Sequence, residues 1–332
     1  MIKIGINGFG RIGRLALRHS LSKPNMEVVA INDLLSIEQL AYLFKFDSVH
    51  GRFNGTVEIN GNQLIINDTV IRVTSVKNPS AINWGNLNVD YVIESTGYFT
   101  TKELASLHLN SGAKNVVISA PSSNAPMFVM GVNQHTLGEN INVFSNASCT
   151  TNCFAPILKV LNENFIVEEA LMTTIHCSTS SQSTVDSFSK NWRRGRSGMN
   201  NIIPTSTSAA QAINSIMPEL TGKVDAMAFR VPIVDVSLID VTVKLKKNTS
   251  YESIKKAMKL ASENELKGIL GYTEDPVVSQ DFVSDPRISI FDATAGMELN
   301  DRFFKIVAWY DNEFGYSTKL MDLIEYSSSI NS

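Results

Sequence analysis

The segment that most constrains this chain is its N-terminal end. Ile2-Lys-Ile-Gly-Ile-Asn7 alternates in the manner of a short strand and runs into Gly8-Phe-Gly10-Arg-Ile-Gly13. Arg14-Leu-Ala-Leu-Arg-His-Ser-Leu21 then reads as a helix, and Glu27-Val-Val-Ala-Ile-Asn32 as a second strand ending at Asp33. Strand, G-x-G-x-x-G, helix, strand, acid is the order of a dinucleotide-binding unit, which demands a parallel sheet with helices packed on it. Gly8 permits the tight turn, Gly10 lets backbone approach a pyrophosphate, and Gly13 lets the helix pack on the strand. The helix N-terminus offers its unpaired N–H groups to the phosphates. Asp33 is placed to accept from both ribose hydroxyls and to repel a 2′-phosphate, so NAD is expected over NADP. Three spaced glycines alone are a weak signal, and a glycine-rich turn with no ligand is the bland alternative. The flanking strands and the placed acid carry the weight.

Further strands are expected at Val89–Ser95, ending at Thr96-Gly97, and at Asn115–Ser119, ending at Ala120-Pro121. Ser95, Thr96, Gly97 and Ser119 thus fall at carboxyl ends of strands, where an open parallel sheet binds its ligand. At 332 residues the chain exceeds one ordinary core, so two domains are expected. After the helix that starts at Cys149 the pattern changes. Strands are expected at Ala170–Ile175, Asp225–Arg230, Ser237–Leu245 and Phe303–Trp309, with helices at Tyr251–Asn264 and Tyr316–Ile330. The fold class is therefore an α/β Rossmann-type NAD-binding domain plus an α+β catalytic domain with a mostly antiparallel sheet covered by helices.

The chemistry is announced by Ser145-Asn-Ala-Ser-Cys-Thr-Thr-Asn-Cys153. It sets Cys149 in the first turn of a helix carrying Phe154, Ile157, Leu158 and Leu161 on its apolar face. Unpaired N–H groups and the helix dipole favour negative charge there, so a lowered thiol pKa and a nucleophilic role are expected. A buried structural cysteine is the commoner fate, but the hydroxyl-rich flanks do not suit a core position. His176, at a strand end, is the natural proton partner, since cysteine and histidine need proximity in space and not in sequence. Residues 178–208 combine Ser178, Thr179, Ser181, Ser183 and Thr184 with Arg193, Arg194 and Arg196 and then Pro204-Thr-Ser-Thr-Ser208. Hydroxyls and guanidiniums suit phosphate oxygens, although a solvated basic loop or a subunit contact has the same composition. Arg230, after an apolar strand, is a further anion-binding candidate.

Composition narrows the rest. Net charge is −3, which favours neither nucleic acid nor an acidic membrane surface as a main partner. No apolar run approaches the ~18 residues of a membrane span. No basic n-region or cleavage site precedes the strand at Ile2, so no secretory or transit signal is expected. Three cysteines suit a reducing cytoplasm better than a disulfide framework, and ligands at metal-site spacing are missing.

Seven blocks then carry a resemblance: INGFGRIGR (6–14), FDSVHGRF (46–53), SAPSSNAPMFVMGVN (119–133), SNASCTTNC (145–153), TTIH (173–176), MAFRVP (227–232) and WYDNEFGYS (309–317). Together they closely resemble the phosphorylating glyceraldehyde-3-phosphate dehydrogenases over nearly the whole chain. The resemblance implies an NAD domain of residues 1–148 rejoined by a C-terminal helix at 315–332, and a catalytic domain at 149–314. It implies a cytoplasmic homotetramer that oxidises glyceraldehyde 3-phosphate with inorganic phosphate, with the loop after His176 lying against a neighbour's cofactor. Cys149 would be the nucleophile and His176 the base. Ser148, Thr150, Arg196, Thr207 and Ser208 would hold the attacking phosphate, and Thr179, Ser181 and Arg230 the substrate's own phosphate. Asn7, Gly8, Gly10, Arg11, Ile12, Gly13, Asp33, Lys77, Ser95, Thr96, Gly97 and Ser119 would line the NAD site. Asn312 would orient the nicotinamide carboxamide, with Tyr316 near it.

Four positions depart from the family pattern. Lys77 stands for a usual arginine, Ser208 for a glycine and Cys177 for a small non-thiol residue, and Ser187-Phe188 replaces a pair that usually includes proline. The Ser208 side chain either crowds the anion or binds it, and the 187–188 change bears on NADP exclusion. Erythrose-4-phosphate dehydrogenase is the second enzyme reading, although that relative typically carries glutamate at the position of Asp33. A binding protein on the same scaffold is the third.

Overall fold

Period-two alternation in the first residues becomes strand β1 (Ile2–Asn7), and the glycine-rich turn feeds helix α1 (Arg11–Ser20) and strand β2 (Met26–Asn32). The structure is a computed structural model describing residues 1–180 and 182–330. After helix α2 (Ile37–Lys45) come β3 (Val57–Asn60), β4 (Gln63–Ile66) and β5 (Thr69–Thr74), then β6 (Tyr91–Glu94), short helices α3 (Lys102–Ala105) and α4 (Leu107–Asn110), β7 (Asn115–Ile118) and β8 (Val143–Ser145). These strands form one sheet in the order β3-β4-β5-β2-β1-β6-β7-β8. From β5 to β8 every pairing is parallel, while β3, β4 and β5 form an antiparallel meander at one edge. The alternation rule does not reveal this meander, because β3 is largely exposed and has no apolar face to show.

The second sheet follows helix α5 (Cys149–Phe165). Its strands are β9 (Val167–Cys177), β10 (Ile203–Ser206), β11 (Val224–Val231), β12 (Ser237–Leu245), β13 (Leu270–Thr273), β14 (Ser289–Asp292), β15 (Met297–Asn300) and β16 (Phe303–Tyr310). The order is β10-β11-β9-β12-β16-β14-β13, with β15 pairing β16. Five pairings are antiparallel (β10·β11, β9·β12, β12·β16, β14·β16 and β15·β16); β9·β11 and β13·β14 are parallel. Along β12 buried and half-buried residues alternate strictly, the signature of a sheet covered on one face. The cover is α5, packed on β12, β14 and β16 and flanked by helices α6 (Ala209–Ile216) and α7 (Tyr251–Glu263). Pro204 sits in β10, which the composition of 178–208 does not reveal as a strand; β10 is a sheet edge, where a missing N–H is tolerated.

The chain divides into two compact units. The first is Met1–Phe128, Gln134–Ala147 and the chain from Leu320 on; the second is Val129–Asn133 with Ser148–Lys319. Helix α8 (Phe314–Ile330) therefore passes from the second unit into the first at Leu320. In the first unit its C-terminal part is tied down by Tyr91 Oη donating to Ser327 Oγ (3.0 Å) and by Lys23 bridging Asp322 and Glu325.

Candidate active site

Ser148 is the N-cap of α5; its Oγ accepts from Thr151 N at 3.0 Å, a cap worth about 1 kcal/mol to the helix. Cys149 is thereby the first helical residue, and its Sγ stands 3.6 Å from His176 Nε2. His176 lies inside β9 and not beyond its end, because β9 continues to Cys177 by pairing with β11. That parallel register sets Arg230 opposite His176, and Arg230 Nη1 lies 2.6 Å from His176 Nδ1 while also donating to Cys177 O at 2.9 Å. Burial and the Arg230 charge push the His176 imidazole down to about 3, so the ring is neutral at physiological pH.

The expected lowering of the Cys149 thiol is not what the structure shows. Desolvation raises it above the ordinary value, and the Arg230 charge and the N-terminal amides of α5 only partly oppose this. The resting pair is a neutral thiol beside a neutral imidazole.

The pair opens into a cavity of ≈ 360 Å³ lined by Ser148, Cys149, Thr150, Thr174, His176, Arg194, Ser206, Thr207, Ser208, Ala228 and Arg230. The N-termini of α5 and α6 both reach it, so two sets of backbone N–H groups and two guanidiniums serve one space. Ser208 takes φ −91, an ordinary conformation for a residue with a side chain, and lines the cavity without backbone strain. Tyr310, fully buried, bridges Thr150 Oγ1 (2.9 Å) and Thr174 Oγ1 (2.8 Å) and meets the His176 ring edge-on at 6.0 Å.

Some expected residues are elsewhere. Arg196 is not in the cavity: its guanidinium pairs with Asp186 at 2.7 Å, both side chains more than half exposed. Arg194 takes that place, held by its Nε on Thr205 Oγ1 (2.7 Å) and by Ser206 O (3.1 Å). A charge count in the loop does not distinguish three nearby arginines; the docking of this one on β10 does. Thr179 does not line the cavity; its backbone N–H donates to Gln182 Oε1. Ser181 lies outside the described residues. Thr174 and Tyr310 fall within the TTIH and WYDNEFGYS blocks but carry no local signal of a role, since a hydroxyl on a strand looks like any other strand residue.

Asn312 Oδ1 accepts from Ser237 Oγ (3.0 Å) and from the Cys177 thiol (3.2 Å), which fixes the way the amide faces. Ser237 follows Val236, a buried β-branched residue at φ +61, a strained conformation that the surrounding packing imposes. Tyr316 is buried in α8.

In the first unit, Asn7, Gly8, Gly10, Asp33, Lys77, Ser95 and Thr96 line a cleft of ≈ 340 Å³ together with Asn32, Leu34, Val76, Tyr98 and Phe99. Gly8 has φ +92, and a Cβ there would come within 2.8 Å of Thr96 N; a Cβ on Gly13 would collide with Gly8 O. No side chain caps α1, and its first turn holds no acid, so the N–H groups around Arg11 and Ile12 suit a pyrophosphate. The Arg11 side chain itself pairs with Asp47. Asp33 ties the glycine turn to the end of β2, accepting from Phe9 N (2.7 Å) and Leu35 N (3.0 Å). Gly97 (φ +77) and Ser119, whose N–H donates to Glu94 O, follow the ends of β6 and β7 outside the lining set. The cleft thus suits a dinucleotide.

Known proteins agree. Residues 2–102 match the family model described as the NAD binding domain of glyceraldehyde 3-phosphate dehydrogenase, and residues 148–312 match its C-terminal domain. The chain is 57% identical over 330 residues to glyceraldehyde-3-phosphate dehydrogenase 2 of Mucor circinelloides f. lusitanicus, covering 99% of this chain and 98% of that one. Identity is 55% over 329 residues to dehydrogenase 1 of Schizosaccharomyces pombe (98% of each chain), and 54% over 328 residues to dehydrogenase 3 of Saccharomyces cerevisiae (98% and 99%). This chain belongs to the glyceraldehyde-3-phosphate dehydrogenase family. The first unit accordingly contains the NAD-binding domain match and the second the C-terminal domain match.

For a glyceraldehyde-3-phosphate dehydrogenase the geometry separates two neighbouring arginines. Arg194→Leu is expected to raise the KM for inorganic phosphate by about 10- to 100-fold, the worth of a charged hydrogen bond to an anion. Arg196→Leu is expected to stay within about twofold, as for other exposed ion pairs. Initial rates against phosphate concentration check both.

Proposed function

We propose that the chain catalyses the NAD-dependent, phosphorylating oxidation of D-glyceraldehyde 3-phosphate to 1,3-bisphosphoglycerate. The observation that carries the reading is one cavity holding a cysteine–histidine pair between two helix N-termini and two guanidiniums. A nucleophile with one anion position serves a phosphorylated aldehyde. The further groups, Arg194, Thr207 and Ser208 together with Ser148 and Thr150, serve a second anion, the attacking phosphate.

Arg230 offers only donors, so its contact turns His176 Nδ1 into an acceptor and leaves the ring proton on Nε2. When the substrate's phosphate draws the Arg230 guanidinium away, the ring proton exchanges through solvent from Nε2 to Nδ1, Nδ1–H donates to Cys177 O, 2.9 Å distant, and the bare Nε2 becomes the base facing Cys149. The thiol adds to the aldehyde carbon as His176 takes its proton, giving a tetrahedral hemithioacetal. The Cys149 backbone N–H and the protonated His176 hold its oxyanion. Bound NAD+ supplies the hydride acceptor that makes the thioester. Phosphate, held by Arg194 and the head of α6, then attacks the acyl carbon and releases the Cys149 thiolate. Asn312 holds the nicotinamide carboxamide.

The protein is further proposed to be a cytoplasmic homotetramer, without a membrane or nucleic acid as main partner. Among the described residues no helix is long and apolar enough to cross a membrane. Phe188 and Trp192, 96% and 89% exposed, suit burial against another subunit.

The test is NADH formation from glyceraldehyde 3-phosphate and from erythrose 4-phosphate, each with and without phosphate. Turnover of the first that requires phosphate is expected. Turnover indifferent to phosphate, or faster with the four-carbon sugar, overturns the proposal, as does an absence of any turnover.

A further inference from the structure

Beneath the cleft of the first unit lies a polar network that the catalytic steps do not use. Its hub is Glu94, the last residue of β6, 1% exposed. Its Oε2 accepts from Asn7 Nδ2 (2.6 Å) and meets His108 Nε2 (2.9 Å). Its Oε1 accepts from Thr96 N (2.8 Å) and from Thr96 Oγ1. On the far side of His108, the Trp84 indole N–H points at Nδ1 at 3.0 Å. Gly5 in β1 makes room for that indole, since a Cβ there would lie 2.8 Å from the ring.

Proton accounting fixes the charge. An indole N–H only donates, so His108 Nδ1 accepts, and the one proton of the neutral ring sits on Nε2 facing Glu94. Doubly protonated, His108 would present N–H to N–H at Trp84. Four donors therefore converge on Glu94, and the carboxylate accepts all of them as an anion. Among the described residues every group bonded to it is neutral, so one full negative charge is buried without a counter-ion. Its position is specific. Glu94 pairs with Asn7 in the β1·β6 register, with β2 on the other side of β1, which is where strand order reverses in this sheet. Open parallel sheets bind their ligands at that point, and Asn7 and Thr96, both held by Glu94, line the cleft.

We propose that Glu94 is a specificity-determining residue for the oxidation state of the dinucleotide, its buried charge favouring NAD+ over NADH. The two ligands differ by the single positive charge of the pyridinium ring, so a fixed anion in the sheet beneath them discriminates by attraction alone. Tight-binding NADH would hold the product on the protein, and the buried anion works against this. The proposal rests on the reading that this cleft holds the dinucleotide.

The test is direct binding of NAD+, NADH and ADP-ribose to the full chain by titration calorimetry, for the parent, Glu94→Gln, Glu94→Asp and Asp33→Ala. Glu94→Gln is expected to shrink the NAD+ preference over NADH by about fourfold, the effect of one charge ~10 Å away in a medium between protein and water. Relative to NADH, ADP-ribose, which has the same net charge and no pyridinium, is expected to stay put. Glu94→Asp, which keeps the charge, is expected to keep the ratio even where it weakens both ligands. An equal loss for all three ligands in Glu94→Gln means a merely structural role and overturns the proposal, as does an Asp variant that behaves like the Gln variant. If Asp33→Ala binds all three ligands as the parent does, the cleft reading itself has failed.

Discussion

Cys149→Ser is expected to reduce NADH formation from glyceraldehyde 3-phosphate by about 10⁴-fold or more, the scale on which loss of a catalytic nucleophile acts. The reason is chemical and not structural. Serine fits the first turn of α5 behind the Ser148 cap, and its hydroxyl occupies the sulfur's place 3.6 Å from His176 Nε2. An alcohol is far harder to ionise than a thiol, and burial that already raises the Cys149 thiol penalises an alkoxide more severely. An ester intermediate would also retain less of the oxidation energy than a thioester. Stopped-flow absorbance of the first turnover checks the rate, and NAD+ titration checks that the cofactor site is intact. A variant within tenfold of the parent in the first turnover would refute Cys149 as the nucleophile.

The second large effect concerns His176. His176→Asn is expected to lower the rate by about 10²- to 10⁴-fold, the usual range for a positioned proton-transfer group. Asparagine accepts from Arg230 but cannot relay the Cys149 proton. The resting thiol is raised and the imidazole lowered, so the variant should regain activity with rising pH as the thiol ionises unaided. The same residue makes a linked prediction for stability. The native pKa is pushed down to about 3 from the ordinary imidazole value of 6.5. The unfolded chain therefore binds a proton that the native state refuses, and stability present above pH 6.5 is lost as pH falls toward 3. Urea unfolding at pH 7.5 and pH 4.5 should show a larger acid loss for the parent than for His176→Asn. Equal losses would show that the imidazole is not held neutral.

Much of this was legible before the structure, for definable reasons. Local rules mark the β1–α1–β2 unit, because glycines at a tight turn and an acid at a strand end are dictated by backbone geometry and phosphate chemistry. They also mark Cys149, because a helix start is a local event: a serine cap, a hydroxyl run and then apolar periodicity. The environment of that cysteine was not legible. A helix N-terminus favours the thiolate, but the thiol is desolvated in a cavity whose other walls come from β9, β11 and the head of α6, distant in sequence.

The arginines show the same division. Arg193, Arg194 and Arg196 are near neighbours with the same local chemistry, and only the docking of Arg194 on β10 turns one guanidinium toward Cys149 while Arg196 turns to Asp186. Arg230 and His176 are 54 apart in the chain and meet because β11 and β9 pair in parallel register. The sequence by itself determined the dinucleotide unit, the cysteine at a helix start and the family, since each depends on residue types in short fixed order. The tertiary structure decided the sign of the Cys149 shift, the choice of Arg194 and the buried charge at Glu94. Desolvation and strand register sum over residues far apart in the chain, and no local pattern encodes them.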